Sequence, residues 1–192
     1  MADPLVIVAT PRSGTHSIGR GLGMVPGVRC DGEILNAVPG ATLASWTAEA
    51  AGDKVHAHAV AVVMHGGCCG GDLALLLSMA GRVLLATRRD LKAAALSLLE
   101  ARAGGDWMTP VHLERWGRPT AAMVAQETDA LARMRDDMLA TFPSAPVLWM
   151  EDWVAEPGIV VAAAESCGIA VPDPLLVREA ATRNFFGRAR RR

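Results

Sequence analysis

Short, unbroken apolar runs recur along this chain, separated by longer stretches of mixed pattern. Leu5–Thr10, Val28–Cys30, Val55–Met64, Arg82–Thr87 and Pro146–Met150 carry apolar residues largely at consecutive rather than alternate positions. A strand covered on both faces has this signature, and it points to a parallel sheet. Between the runs lie segments with helical character: Gly14–Met24, Asn36–Ala51, Asp72–Ala80, Asp90–Ala103, Thr120–Thr141 and Glu151–Cys167. In the longest, Val124, Leu131, Met134 and Met138 keep one face while Glu127, Arg133 and Asp137 stay off it. The alternation predicts an α/β fold: a single P-loop-like domain with a mostly parallel sheet of about four to five strands flanked by helices. No internal domain boundary or repeat interrupts it. Gly104–Pro119, with its Gly, Trp and Pro, reads as an irregular crossover that can line an acceptor site.

Composition narrows the class. The 192 residues suffice for one domain with a full core. Apolar stretches such as Ala57–Met64 fall far short of the roughly 20 residues a membrane span needs. Met1–Thr10 has no basic region of the kind that opens a signal peptide. A formal net charge of −1 argues against generic nucleic-acid binding. The one charge run is Arg188, Arg190, Arg191 and Arg192, read as a solvated tail or as a phosphate contact. Cys30, Cys68, Cys69 and Cys167 show neither zinc spacing nor a disulfide framework, which suits reduced thiols in a cytoplasmic protein. A homodimer is compatible with the chain.

Chemistry concentrates after the first run. Thr10-Pro11-Arg12-Ser13-Gly14-Thr15-His16 joins a strand to a helix. There, backbone N–H groups and the positive end of the helix dipole attract an anion. Gly14 permits close approach of the backbone, Ser13 and Thr15 add hydroxyls, and Arg12 supplies charge. The loop lacks the first Gly and the Lys of an ordinary kinase or NTPase loop. A phosphate-like anion is expected, its identity open at this point.

A second constellation follows the fourth run: Arg88-Arg89-Asp90-Leu91-Lys92-Ala93-Ala94-Ala95-Leu96-Ser97. Arg89 ends the strand and Ser97 lies two turns into the next helix. A guanidinium fork matches phosphate oxygens bidentately. One nucleotide with phosphates on both its 5′ and 3′ sides would satisfy two such strand ends.

On these residues the chain resembles the sulfotransferases that use 3′-phosphoadenosine 5′-phosphosulfate (PAPS). Its TPRSGTHS loop is similar to their 5′-phosphosulfate loop, and RRDLKAAALS to their 3′-phosphate element. RRDLKAAALSLLEARAGGDW, ending at Trp107, and Met150-Glu151-Asp152-Trp153-Val154-Ala155-Glu156-Pro157 are similar to elements of the bacterial enzymes typified by trehalose 2-sulfotransferase. The matching elements run in family order from residue 5 to about residue 160. Departures are Leu91 in place of a proline and His56-Ala57-His58 where relatives often carry Gly-Phe-Lys. The C-terminal Asn184-Phe185-Phe186-Gly187 has no counterpart. The resemblance implies PAPS as co-substrate, no metal, and a carbohydrate, glycolipid or other small alcohol as acceptor. It also implies that Arg12, Ser13, Gly14, Thr15, His16, Arg89 and Ser97 bind the nucleotide. The alternatives are a P-loop-type kinase and a non-catalytic nucleotide-binding relic of the same fold.

Sulfuryl transfer to a hydroxyl needs a base. Glu33, in Cys30-Asp31-Gly32-Glu33-Ile34-Leu35, stands about where the trehalose-type enzymes have their catalytic carboxylate. His58 is the rival, because His56-Ala57-His58 resembles the Lys-Thr-His of animal and plant cytosolic sulfotransferases. His16 is assigned to stabilising the transferring group. His65 and His112 carry no role. Nothing completes His56, His58 and His65 as a metal site with suitable spacing.

Overall fold

Five strands form one sheet in the order β2-β3-β1-β4-β5 in the computed structural model, which describes residues 2–34, 42–65, 70–104 and 118–180. The strands are β1 (Asp3–Ala9), β2 (Val28–Glu33), β3 (His58–Met64), β4 (Val83–Thr87) and β5 (Val147–Trp149). Every neighbouring pair is parallel. The helices are α1 (Thr15–Leu22), α2 (Leu43–Gly52), α3 (Gly70–Ser78), α4 (Leu91–Gly104), α5 (Ala121–Thr141), α6 (Met150–Ala155) and α7 (Gly158–Ser166). A further helical segment covers residues 174–180.

The unbroken apolar runs are strands because both of their faces are buried. Leu5 through Ala9 are fully shielded, as are Val83 through Ala86. Period-two geometry sends Leu5, Ile7 and Ala9 to one face, where Ile18 and Leu22 of α1, Trp153 of α6 and Val160 of α7 cover them. Val6 and Val8 meet Leu43 and Trp46 of α2, Leu76 of α3 and Met138 of α5 on the other. Each of the larger side chains buried here contributes about 1.5–3 kcal/mol. Helices α4 and α5 share their own cluster of Leu91, Ala94, Ala95, Leu98 and Leu131.

From β1 the chain runs to the edge strand β2, returns to β3, and then crosses β1 to reach β4. The direction of winding reverses around β1, and open parallel sheets of this kind bind ligands beyond the carboxyl end of such a strand. All strands being parallel, their carboxyl ends share one edge. That edge carries the Thr10–Gly14 loop, His65, the Arg88–Asp90 turn and Glu151.

Several boundaries differ from those expected. The second strand continues to Glu33 through an irregularity between Cys30 and Gly32, where Gly32 takes φ 68°. The third begins at His58 rather than Val55, because Asp53 draws the preceding backbone into a turn by accepting from Val55 and His56 N–H groups. Glu151–Cys167 is two helices, interrupted at Glu156–Pro157, since proline cannot donate within a continuous helix. Residues 36–41 of the second helical candidate, Cys68 and Cys69, most of the Gly104–Pro119 crossover with Trp107 and His112, the Asn184–Gly187 element and the arginine tail lie outside the described residues. No helix among those described is long and apolar enough to cross a membrane.

Candidate anion-binding site at the carboxyl edge

The loop after β1 is fixed on both flanks before it turns. His65 N–H donates to the Ala9 carbonyl (2.9 Å) from the β3 side, and Thr10 N–H donates to Ala86 (3.1 Å) on the β4 side. Beside this, the hydroxyls of Thr10 and Thr87 share a buried hydrogen bond of 2.9 Å. The ends of β1 and β4 are therefore coupled through side chains as well as backbone.

Two residues then enter the left-handed region, Arg12 at φ 64° and Gly14 at φ 82°. Glycine takes this conformation freely, whereas a non-glycine residue there stores about 1–2 kcal/mol. Alternation of handedness within a short turn directs successive N–H groups inward, the arrangement that cradles anions. Gly14 is also the N-cap of α1, and it has no side chain with which to cap that first turn. Arg12 is held across the site by its Nε donating to Ser97 Oγ at 2.9 Å.

Ser13 is completely buried, and its hydroxyl has no hydrogen-bond partner among the described residues. A buried hydroxyl left so costs about 1–3 kcal/mol. Thr10, Ser13, Thr15, Ser17 and Thr87 are five of the six buried polar side chains described, so buried polarity gathers at this one place. It suits a ligand rich in oxygen atoms.

Beyond β4, carboxylates organise the turn. Glu151 accepts the N–H groups of Arg89 (3.1 Å) and Asp90 (3.0 Å), and Arg88 Nε, buried without a hydrogen bond among the described residues, stands 3.7 Å from it. Desolvation pushes the Glu151 carboxyl up, but the backbone donors of Asp90 and Arg89 together with the Arg88 charge hold it below its ordinary range. Arg89 grips Asp152 through both terminal nitrogens, at 2.5 and 2.7 Å, and lies 4.7 Å over the Trp149 ring. Hydrogen bonding from Arg89 holds Asp152 below the usual carboxylate range. Asp90 caps α4 by accepting from Ala93 N–H at 2.9 Å.

These positions divide the expected site residues. Arg12, Ser13, Gly14, Thr15 and Ser97 come together around the loop. Ser97 faces Arg12 rather than Arg89, which is engaged by Asp152 instead. His16 stands in the first turn of α1, exposed. Glu33 is exposed at the carboxyl end of β2, separated from β1 by β3. Two strand spacings put it about 10 Å across the sheet. His58 stands apart from them. It opens β3 in register with Asp3, so it lies at the amino edge, roughly 20 Å along the strand from the loop. Its neighbour His56 binds Asp53 at 2.9 Å, and the two histidines belong to that opposite edge.

His65 is the residue that sequence reasoning passed over. It follows β3 immediately, is largely buried, and its Nε2 meets Asp137 Oδ2 of α5 at 2.7 Å. A carboxylate in that position favours the proton on Nε2 and leaves the Nδ1 lone pair as acceptor. The available signal was its place directly after an apolar run, equivalent to Thr10 after β1 and Arg88 after β4. Among the described residues, no three His, Cys, Asp or Glu side chains converge as a metal-ligand set.

The chain matches no protein-family model, and no curated protein matches it.

Proposed function

We propose that the protein is a sulfotransferase that moves a sulfuryl group from PAPS to the hydroxyl of a small carbohydrate, glycolipid or other alcohol. The buried Ser13 hydroxyl, without a partner among the described residues, carries the anion-binding part of this reading. It lies between two left-handed residues at the carboxyl end of the central strand, beside an arginine already oriented by Ser97. The sulfuryl part rests on the order and spacing of TPRSGTHS, RRDLKAAALS and the Met150–Pro157 element.

In this reading Arg12, Ser13 and the backbone of Gly14 and Thr15 hold the 5′-phosphosulfate oxygens. The donor's S–O bond to phosphate breaks as a new S–O bond forms to the acceptor oxygen. Arg12 and the helix N-terminus stabilise charge on the departing phosphate. The acceptor proton passes to a base on the same edge, either Glu33, which the resemblance suggests, or His65, which its pairing with Asp137 favours. Arg89 answers the 3′-phosphate.

Titration calorimetry tests the donor. Adenosine 3′,5′-bisphosphate should bind roughly 2–4 kcal/mol more tightly than 5′-AMP, the scale of a charge-assisted phosphate–arginine contact. Equal affinity would remove Arg89 from the site. Binding of ATP in preference to the bisphosphate would favour a kinase. Mass spectrometry of candidate alcohols incubated with PAPS then reads transfer directly, and bisphosphate binding with no transfer to any acceptor would indicate a binding relic.

A further inference from the structure

Resting on the nucleotide reading above, we infer that Asp152 sets the strength of 3′-phosphate recognition by competing with that phosphate for Arg89. The fork of Arg89 is already filled by a carboxylate, in the end-on geometry a phosphate would adopt. The surroundings do not favour a second anion added on top. Arg88 and Arg89 pair with the carboxylates of Glu151 and Asp152, and the turn carries a third carboxylate in Asp90. Glu151 is committed to backbone donors of the turn and Asp90 to the first turn of α4, which leaves Asp152 as the carboxylate whose departure frees a guanidinium.

The pair is built to open. Arg89 and Asp152 side chains are 50% and 40% exposed, and ion pairs this exposed are weakly held. Trp149 supports the guanidinium face independently of Asp152, so the arginine keeps its position when the carboxylate swings away. A phosphate dianion then outcompetes a monoanionic carboxylate for the same fork. Replacing one anion by another, rather than filling a ready cation, lowers the affinity for any nucleotide carrying the second phosphate. It thereby speeds release of the bisphosphate product, with no effect on a nucleotide that has only a 5′-phosphate.

The test is calorimetry of the whole chain and two sets of variants against adenosine 3′,5′-bisphosphate and 5′-AMP. Asp152→Asn should tighten the bisphosphate roughly two- to fivefold, the equivalent of one exposed ion pair. 5′-AMP should be unchanged. Asp152→Ala, which cannot hydrogen-bond Arg89, should do the same, and circular dichroism confirms that each variant is folded. Arg89→Gln should weaken the bisphosphate about tenfold or more, toward 5′-AMP. If both Asp152 variants bind the bisphosphate as weakly as the unsubstituted chain, or more weakly, competition is wrong and Asp152 is only an orienting group. If the unsubstituted chain does not discriminate between the two nucleotides, the nucleotide reading itself fails and takes this inference with it.

Discussion

Arg12 illustrates a conflict between stability and chemistry at a single residue. Its left-handed backbone is unfavourable for any side chain, yet its guanidinium is anchored to Ser97 and charges the loop. Arg12→Gly separates these roles. Relief of strain and loss of the Ser97 bond roughly offset, so stability should stay within about 1 kcal/mol. Donor binding should nevertheless fall about tenfold or more, because a charge-assisted contact is gone. Parallel melts and calorimetry check both halves, and unaltered binding would show that Arg12 does not meet the anion. Gly14 presents the opposite case. At φ 82° a β-branched residue is strained and its side chain stands where the backbone should approach the ligand. Gly14→Val should therefore abolish donor binding, and a variant that binds normally would reduce the loop to an ordinary turn.

At the level of elements, Glu151 joins β5 and α6 to the turn after β4 through two backbone N–H groups. Its carboxyl lies below the ordinary range, so the contribution is complete above an unfolded value of about 4.3 and is lost as pH falls through the lower folded value. Glu151→Gln should reduce stability by about 1 kcal/mol at neutral pH, the contact being part-exposed. The difference between variant and parent should shrink as denaturation is repeated below about pH 4. A constant difference across that range would mean that the charge of Glu151 is immaterial. None of this pairing is visible in the chain, where Glu151 and Arg89 are 62 residues apart. Local features were far more legible. β1, β3 and β4 announce themselves as apolar runs, and α5 by its buried Leu131 and Met138. β2 was shortened because Asp31 and Glu33 are exposed positions on an edge strand, which breaks the apolar run. Pro157 did signal the break between α6 and α7, but the apolar residues on both sides mask it.

For the molecule as a whole, parallel strands convert position within a run into position on one of two opposite edges. The loop after β1 was legible as a strand-to-helix turn because its residues are contiguous, whereas the pairings of Arg12 with Ser97 and His65 with Asp137 span 85 and 72 residues and depend on how α4 and α5 dock. The same geometry sorts the candidate residues by edge. Glu33 and His65 belong to the carboxyl edge with the loop, and His58 to the amino edge. If proton removal occurs beside the loop, Glu33→Gln or His65→Asn should lower turnover about 10²- to 10⁴-fold with adenosine 3′,5′-bisphosphate affinity preserved. His58→Asn should leave both quantities within about a factor of two, because roughly 20 Å separates it from the loop. Asp137→Asn adds a discriminating arm. Were His65 the base, losing the carboxylate that fixes its tautomer should reduce turnover and shift the acidic limb of the rate profile, as loss of an orienting carboxylate does in other His-dependent sites. Were Glu33 the base, that limb should be unaffected by Asp137→Asn and flattened by Glu33→Gln. Turnover abolished by His58→Asn alone would place the chemistry on the amino edge and overturn the assignment of the site.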